Sequence, residues 1–235
     1  MAPPPTPLPT SIPNPAGRLP AAERRRQLLD VAVEVFAASS FTRASMNDIA
    51  EAAGVTKPVL YRHFPSKRAL FLEVLADVGS RLRGAVADAT SAAGTPRAQV
   101  ERGFHALFRF VAEEPQAFSL LLRSSRWSID EFAGEAHRFE RDMAELVSSL
   151  IEVPGMDLDH RRQLAYGIVG MADAAARVWL RDGMAVPPAE LADRMAELAW
   201  AGLRGVQGHD DEPERRGPAS RPGIDDDTDP QEAPS

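Results

Sequence analysis

The sequence contains no cysteine among its 235 residues, and it has five histidines. Without cysteine it cannot form disulfides, thiolate zinc sites, iron–sulfur clusters or cysteine nucleophiles. No run approaches the roughly 18 consecutive apolar residues that a membrane helix needs, and the start of the chain lacks the pattern of a signal peptide. We therefore expect a cytoplasmic protein with no membrane contact and no cofactor.

Both ends of the chain are poor in large apolar residues. Residues 1–20 hold eight of the 20 prolines, and residues 207–235 carry nine acidic residues against three basic ones, with no aromatic. Such segments cannot bury enough apolar surface to offset the entropy lost on ordering. The composition predicts a disordered Pro-rich lead over 1–20 and a disordered acidic tail over 207–235.

Charge is divided unevenly along the chain, whose formal net charge is −7. Residues 18–68 carry nine Arg and Lys against five Asp and Glu, whereas residues 69–206 carry fifteen against twenty. Binding to nucleic acid depends on where charge lies rather than on its sum. The basic N-terminal block is therefore the part suited to approach DNA.

Between the two ends, apolar residues recur with a period near 3.6, and we find no convincing stretch of strand-like alternation. This pattern predicts an all-α fold of about nine helices. The first four predicted helices contain the apolar stripes within 28–36, 46–53, 59–64 and 70–78. The other five contain 100–111, 115–122, 132–151, 159–181 and 188–203.

Residues 45–64 carry the strongest local signals. Ser45 can cap a helix in which Asp48 lies three positions on, Gly54 suits a turn with positive φ, and Thr56 can cap the next helix. Pro58 is tolerated there because the first turn of a helix has amides without intrahelical partners. Two short helices joined by a tight turn, the second with polar and basic groups at its start, describe a helix-turn-helix.

Residues 24–75 closely resemble the N-terminal DNA-binding region of TetR-family transcriptional regulators. The motifs that carry the resemblance are Phe36, Ser45, Asp48-Ile49-Ala50, Gly54-Val55, Leu60-Tyr61-Arg62-His63-Phe64 and Ser66-Lys67. Two positions depart from the family pattern. Ala44 stands where a second hydroxyl is common, and Ser40 stands where the family usually has the glycine that ends helix one.

The resemblance implies two kinds of DNA contact. Base edges would be read from the exposed start of the second helix by Thr56, Lys57, Pro58 and Val59. Phosphates would be held by Ser45, Tyr61, His63 and Lys67. Lys57 can donate to guanine, and Pro58 and Val59 can touch a thymine methyl. A core position for Tyr61 and a solvated surface position for His63 stay open as alternatives.

Three consecutive arginines, Arg24, Arg25 and Arg26, open the first helix, where cations sit badly against the helix dipole. Stabilisation of their own helix therefore does not explain these three arginines. Either they reach the DNA backbone or minor groove, or they only make the surface soluble.

Beyond Leu82 the resemblance implies a helical bundle with an internal pocket and a dimer face made by the last two helices. The expected apolar pocket walls are Phe104, Phe108, Phe118, Leu121, Leu122, Trp127, Phe139, Tyr166 and Trp179. Candidate polar contacts are His105, Arg123, Arg126 and His137; since neither histidine has a second ligand at helical spacing, we expect no metal. The expected dimer stripes are Ile168, Met171, Ala172, Ala175, Ala176 and Trp179, and Leu191, Met195, Leu198, Ala199, Gly202 and Leu203.

The function expected is that of a ligand-responsive regulator, with a helix-turn-helix domain over 21–68 and a regulatory and dimerisation domain over 69–206. A homodimer would repress from a palindromic double-stranded DNA operator until a small apolar inducer releases it. One alternative is a ligand-independent DNA-binding regulator or activator. Another is a helical enzyme, for which the sequence offers no Gly-rich phosphate loop and no paired His motif, so we expect no catalytic activity.

Overall fold

The computed structural model describes residues 20–124 and 130–206. Apart from Pro20, the predicted lead and tail lie outside these residues, as do Arg126 and Trp127. Within them the all-α prediction is confirmed, with nine helices and no strand. The helices are α1 (Ala21–Arg43), α2 (Met46–Ala52), α3 (Lys57–His63), α4 (Lys67–Ser91), α5 (Pro96–Glu113), α6 (Pro115–Ser124), α7 (Asp130–Leu150), α8 (Leu158–Arg181) and α9 (Pro188–Arg204).

Several helices begin at side chains that satisfy backbone amides of the first turn. The oxygens of Ser66, Thr95 and Asp157 each accept from the amide three residues on, at 3.1, 3.2 and 2.7 Å respectively. Because the first amides of a helix have no intrahelical partner, each cap favours a helix start at that residue. These caps open α4, α5 and α8.

Helix α1 is interrupted at Ser40, whose φ of 64° and ψ of 160° are non-helical. This is a backbone region that essentially only glycine enters without strain. The family pattern has glycine at this position, and the structure shows why: the chain must bend here. The bend brings Phe41 onto Phe71 and Phe132, at ring-centroid distances of 5.1 and 4.7 Å.

Helix α4 is the element on which the rest of the fold is assembled. It packs against α1 on one side and against α5, α6 and α7 on others, while α8 packs on α7 and α9 on α5. Its apolar face is buried from Leu70 to Val86. Because α4 runs unbroken from the helix-turn-helix into the bundle, the predicted domain boundary at residues 68 and 69 stays a prediction.

A chain of ion pairs joins α1, α4 and the junction of α5 with α6. Asp77 on α4 accepts from Arg26 Nη1 at 2.6 Å and from Arg81 Nε at 2.9 Å, and Arg81 also pairs with Glu114. Burial alone would lower the pKa of Arg81, but its hydrogen bonds to Glu114 and Asp77 outweigh burial and raise that pKa. The charged guanidinium is therefore held firmly between two carboxylates.

Candidate nucleic-acid interface and internal cavity

The helix-turn-helix is built as its sequence predicts. Ser45 and Asp48 form a reciprocal capping box, in which each side chain accepts from the other's backbone amide, at 3.2 and 3.0 Å. Gly54 adopts a φ of +63° in the turn. Thr56 occupies the N-cap position of α3, but its side chain makes no cap hydrogen bond. The expected hydroxyl cap at Thr56 is thus wrong, and the residue is exposed.

Helix α3 exposes its start and is anchored by its middle. Leu60 is fully buried, whereas Thr56, Lys57 and Pro58 are exposed and Val59 is half-buried. One exposed face of a short helix, held by one buried leucine, can enter a groove without disturbing the core. The four residues expected to read bases therefore lie together at an accessible helix start.

Beside that start lies a shallow surface concavity, which contains four of the eight expected DNA contacts. Its lining residues are Ala44, Ser45, Met46, Asn47, Lys57, Tyr61 and Lys67. Tyr61 is 48% exposed, so the alternative of a core aromatic is wrong. Asn47 also lines the concavity, and it was not among the predicted contacts.

Lys67 has partners that its sequence motif does not reveal. Its Nζ donates to the carbonyls of Phe41 and Ala44, each at 2.8 Å, and lies 4.6 Å from the centre of the Phe41 ring. A carbonyl at the end of a helix lacks an intrahelical donor, so a cation there is stabilising. The expectation of a phosphate contact alone is corrected: Lys67 also ties the end of α1 to the start of α4.

His63, the last residue of α3, does not line this concavity. Burial, followed by the nearby charges of Arg62, Arg25 and Arg24, lowers the pKa of His63 below its ordinary value of 6.5. The surroundings in the free protein therefore disfavour the protonated imidazole. A phosphate beside the ring would act in the opposite direction, since an anion favours the protonated form.

Two of the three arginines at the start of α1 have partners on other elements, which neither sequence interpretation anticipated. Arg25 donates to the His63 carbonyl at 3.0 Å and pairs with Glu73, while Arg26 pairs with Asp77. Arg24 donates to Gln27 on its own helix at 2.7 Å. Two of the three are therefore cross-links between α1 and later elements.

The second feature is a cavity of about 390 Å³ inside the bundle, within the size range of small-molecule sites. Helices α4 to α9 all contribute to its wall. Five of the expected wall residues line it: Phe104, Phe118, Leu121, Leu122 and Phe139. Further lining residues that the prediction missed are Leu82, Val86, Val100, Leu107, Met143 and Trp200.

Three expected wall residues lie elsewhere, and a fourth, Trp127, is outside the described residues. Phe108 and Trp179 are buried against each other in an edge-to-face pair, with ring centroids 5.8 Å apart. The Trp179 indole donates to the Val186 carbonyl at 2.8 Å, so its only polar side-chain group is hydrogen-bonded within the core. Tyr166 is 42% exposed on the surface of α8. These three assignments are corrected.

None of the described polar candidates lines the cavity. His105 is paired with Asp193 at 2.8 Å across α5 and α9, and Arg123 and His137 are exposed. The polar lining comes instead from Gln99, Glu140, Glu152, Asp173 and Arg204. Among the lining residues, Thr90 is the buried polar one, and its hydroxyl donates to the Val86 carbonyl of its own helix at 2.9 Å.

The expected dimer stripes face mostly inward. Ala172, Ala176, Trp179 and Ala199 are buried within the single chain, so small residues that allow close helix contact act here inside the bundle. Of the large apolar residues exposed on α8 and α9, Leu198 belongs to the expected stripe and is 57% exposed, whereas Tyr166 and Val178 lie outside it.

Among the described residues, none of the helices is both long and apolar enough to cross a membrane. Nor do three or more His, Asp or Glu side chains of these residues gather into a group that could hold a metal ion.

Two family models match the chain. Residues 28–74 match bacterial regulatory proteins of the tetR family, and residues 96–202 match a tetracycline repressor-like C-terminal domain. A curated relative, the HTH-type transcriptional activator FasR of Mycolicibacterium smegmatis, is 32% identical over 190 residues, which cover 80% of this chain and 87% of FasR.

Solved structures agree with these matches. A TetR-like transcriptional regulator from Rhodococcus sp. RHA1 is 32% identical with a TM-score of 0.66, covering 80% of this chain and all of that one. The regulator FadR from Bacillus subtilis, solved in complex with stearoyl-CoA, has a TM-score of 0.66 at 17% identity, covering 75% of this chain and 98% of that one. The latter likeness concerns the fold alone.

Proposed function

The chain belongs to the tetR family of bacterial regulatory proteins, which are DNA-binding transcriptional regulators and not enzymes, and we propose that it binds an operator as a homodimer under control of a small apolar effector. The observation that carries the DNA-binding half is the exposed start of α3 beside the concavity of Ser45, Tyr61 and Lys67. Thr56, Lys57, Pro58 and Val59 read base edges in the major groove, and the concavity holds a phosphate.

In this arrangement the phosphate contacts divide into two groups. Ser45 and Tyr61 present hydroxyls, and Lys67 adds positive charge while it holds the end of α1. His63 approaches the backbone from the far end of α3 and becomes protonated there. Contacts of this kind fix the register of α3 on the duplex, and the residues at its start supply sequence specificity.

The homodimer forms through α8 and α9, with the exposed apolar residues of both helices at the contact. Tyr166 and Val178 on α8, and Leu198 on α9, are exposed, as are Gly170 and Gly202 on the same two helices, which carry no side chain. Small and apolar residues together allow two helix pairs to approach closely. A two-fold dimer then presents two α3 helices to a palindromic operator.

The effector has an apolar body and a polar end. The described cavity wall is mostly apolar, and three of its four charged side chains, Glu140, Glu152 and Arg204, are exposed, while Asp173 is half-buried. A ligand of this class buries its body among Leu82, Phe104 and their neighbours. FadR, which shares the fold, is known from its structure with stearoyl-CoA, a molecule with an apolar chain and a polar head.

Helix α6 and the ion pairs couple the cavity to the DNA-binding helices. Phe118, Leu121 and Leu122 of α6 line the cavity, and α6 packs against α1. Glu114, which precedes α6, is connected through Arg81 and Asp77 to Arg26 on α1. A ligand that displaces α6 therefore changes the separation of the two α3 helices, and both half-site contacts weaken together.

Repression is the simplest outcome of this design, since a bound dimer occludes a promoter. Activation is the second candidate, because the curated relative FasR is named as an activator. Transcription in vitro from a promoter carrying the operator distinguishes them: added protein lowers transcript yield if it represses and raises it if it activates.

Selection of bound fragments from a random-sequence DNA pool tests the DNA-binding half of the proposal. We expect recovery of a palindrome with half-sites about one helical turn apart. Thermal unfolding with acyl-CoA esters of increasing chain length tests the effector half, with free coenzyme A as the control, because a ligand of the native state raises the melting temperature. Recovery of no common sequence would refute the first half, and no shift with any apolar probe would refute the second.

A further inference from the structure

Arg25 contacts the recognition helix at the point where that helix ends. From the first turns of α1, its Nη1 donates to the carbonyl of His63 at 3.0 Å, and its guanidinium carbon lies 4.5 Å from the centre of the Phe64 ring. The other terminal nitrogen, Nη2, pairs with the carboxylate of Glu73 on α4. One side chain thus joins α1, the end of α3 and α4.

The chemistry of an arginine side chain fits each of these three contacts. The His63 carbonyl closes a seven-residue helix, where backbone acceptors lack intrahelical donors and a cation is favourable. Phe64 is 1% exposed, so the ring that the guanidinium covers is fixed in the core. A guanidinium can donate in two directions while it stacks on an aromatic ring, which an ammonium cannot do equally well.

The orientation of α3 depends on few other long-range anchors. Its seven residues bury Leu60, and its other end begins without a side-chain cap at Thr56. Leu60 in its middle and the buried Phe64 that follows it hold α3 in the core, and a contact at its carboxyl end restricts its tilt further. Arg25 supplies that contact, and both of its terminal nitrogens have protein acceptors.

We infer that Arg25 is a positioning residue for operator recognition, which sets the tilt of α3 in the major groove rather than binding DNA itself. This inference rests on the proposed function, because it concerns how α3 reads bases. Glu73 then belongs to the recognition machinery although it carries the charge that DNA repels. Its carboxylate holds the guanidinium under the His63 carbonyl.

The two possible roles of Arg25 predict opposite effects for Glu73→Gln. If Arg25 held a phosphate, removal of the competing carboxylate would strengthen binding to every DNA sequence. If Arg25 positions α3, the same change loosens the guanidinium and weakens binding to the operator. The substitution removes no cation, so loss of charge attraction cannot explain a weaker complex.

The experiment compares Arg25→Ala, Arg25→Lys and Glu73→Gln with the wild-type full chain. Arg24→Ala is the matched control, because it removes the same charge one position earlier, where the partner is Gln27 on the same helix. Affinities are measured on a duplex recovered by selection from the random pool and on a scrambled duplex, across a salt series. Hydrogen exchange of the α3 amides is followed in the DNA-free protein, and thermal unfolding checks that each variant is folded.

We expect Arg25→Ala and Glu73→Gln each to lose at least tenfold in operator affinity beyond the loss of Arg24→Ala, with no comparable loss on the scrambled duplex. Arg25→Lys should fall between wild type and Arg25→Ala. The α3 amides should exchange faster in Arg25→Ala and Glu73→Gln but not in Arg24→Ala. The slope of log affinity against log salt should match that of Arg24→Ala.

Three results would overturn the inference. One is a tighter operator complex for Glu73→Gln, and another is equal losses for Arg24→Ala and Arg25→Ala on both duplexes. The third is a salt slope for Arg25→Ala that is smaller in magnitude than that of Arg24→Ala by about two per dimer, which marks a lost phosphate contact in each half-site. If Arg25→Ala does not fold, Glu73→Gln and Arg25→Lys decide the question. A wild-type protein that does not distinguish the two duplexes refutes the proposed function instead, and the variants are then not needed.

Discussion

Substitution of Lys67 by alanine measures how far this residue stabilises the fold independently of DNA. The change removes two hydrogen bonds of 2.8 Å to the carbonyls of Phe41 and Ala44, and a cation 4.6 Å from the Phe41 ring. Hydrogen bonds to charged groups contribute about 1.5–3 kcal/mol each, and an exposed cation–π contact about 0.5–1 kcal/mol. Because the side chain is half-buried and water replaces part of the loss, we expect a total cost of about 2–3 kcal/mol.

Urea unfolding of the DNA-free protein is the suitable assay, with Lys57→Ala as the control because that exposed lysine lies in the same concavity. We expect the midpoint of Lys67→Ala to fall without a change in the slope m, since the native surface is preserved. The Lys57 variant should stay within about 0.5 kcal/mol of wild type, as surface substitutions usually do. Equal stabilities for the two variants would show that Lys67 is not a structural tie, and the reasoning from its carbonyl contacts would fail.

We predict the direction of three further effects, on stability, on pH dependence and on effector binding. Ser40→Gly should raise the free energy of unfolding by about 1 kcal/mol, because it relieves a strained φ of 64°, and a differential scanning calorimeter should show a rise of about 2–4 °C in Tm; a lower Tm would contradict the strain. Since the folded-state pKa of His63 lies below its unfolded value, this residue's contribution to stability is complete above about pH 6.5 and is lost as pH falls below it. Operator affinity should nevertheless rise as pH falls through the same window, because a phosphate favours the protonated ring; a His63→Gln variant with an unchanged pH profile of binding would contradict that contact. Val100→Trp, which fills part of the cavity from α5 rather than from the coupling helix α6, should abolish the thermal shift by acyl-CoA and leave operator binding within about threefold of wild type; a full shift in this variant would place the effector elsewhere.

Local signals in the sequence were sufficient to predict the helix-turn-helix. The capping box of Ser45 and Asp48 and the turn at Gly54 depend on residues within a few positions of one another, and both form as predicted. The same local logic failed for Thr56, whose hydroxyl makes no cap hydrogen bond. A cap position follows from spacing, but the rotamer of its side chain does not.

Long-range partners were beyond the reach of sequence patterns. Arg25 and Glu73 are separated by 48 positions, and Arg26 and Asp77 by 51. No periodicity relates such pairs, so arginines that cross-link two helices resemble arginines that bind DNA. Lys67 was misread in part for the same reason, since its carbonyl partners lie at the end of α1.

The apolar bundle was predicted as a whole but not face by face. Helical spacing identifies Phe104 and Phe108 as inward residues, yet Phe104 lines the cavity and Phe108 packs on Trp179. A stripe such as Ala172 and Ala176 suits both a subunit contact and an internal helix contact, and the structure uses it internally. Which buried face meets a void, and which meets a neighbour, depends on the packing of all six helices.

The ratio of operator affinity to scrambled-duplex affinity tests most directly the claim that the start of α3 reads DNA sequence. At about 0.15 M salt we expect the wild-type dimer to prefer the operator by at least a thousandfold. Lys57→Ala should lose about 1–3 kcal/mol per half-site on the operator and little on the scrambled duplex, so that the ratio collapses. A wild-type ratio near one, or equal losses on both duplexes for Lys57→Ala and for a matched Thr56→Ala variant, would contradict the assignment of α3 as the reading helix.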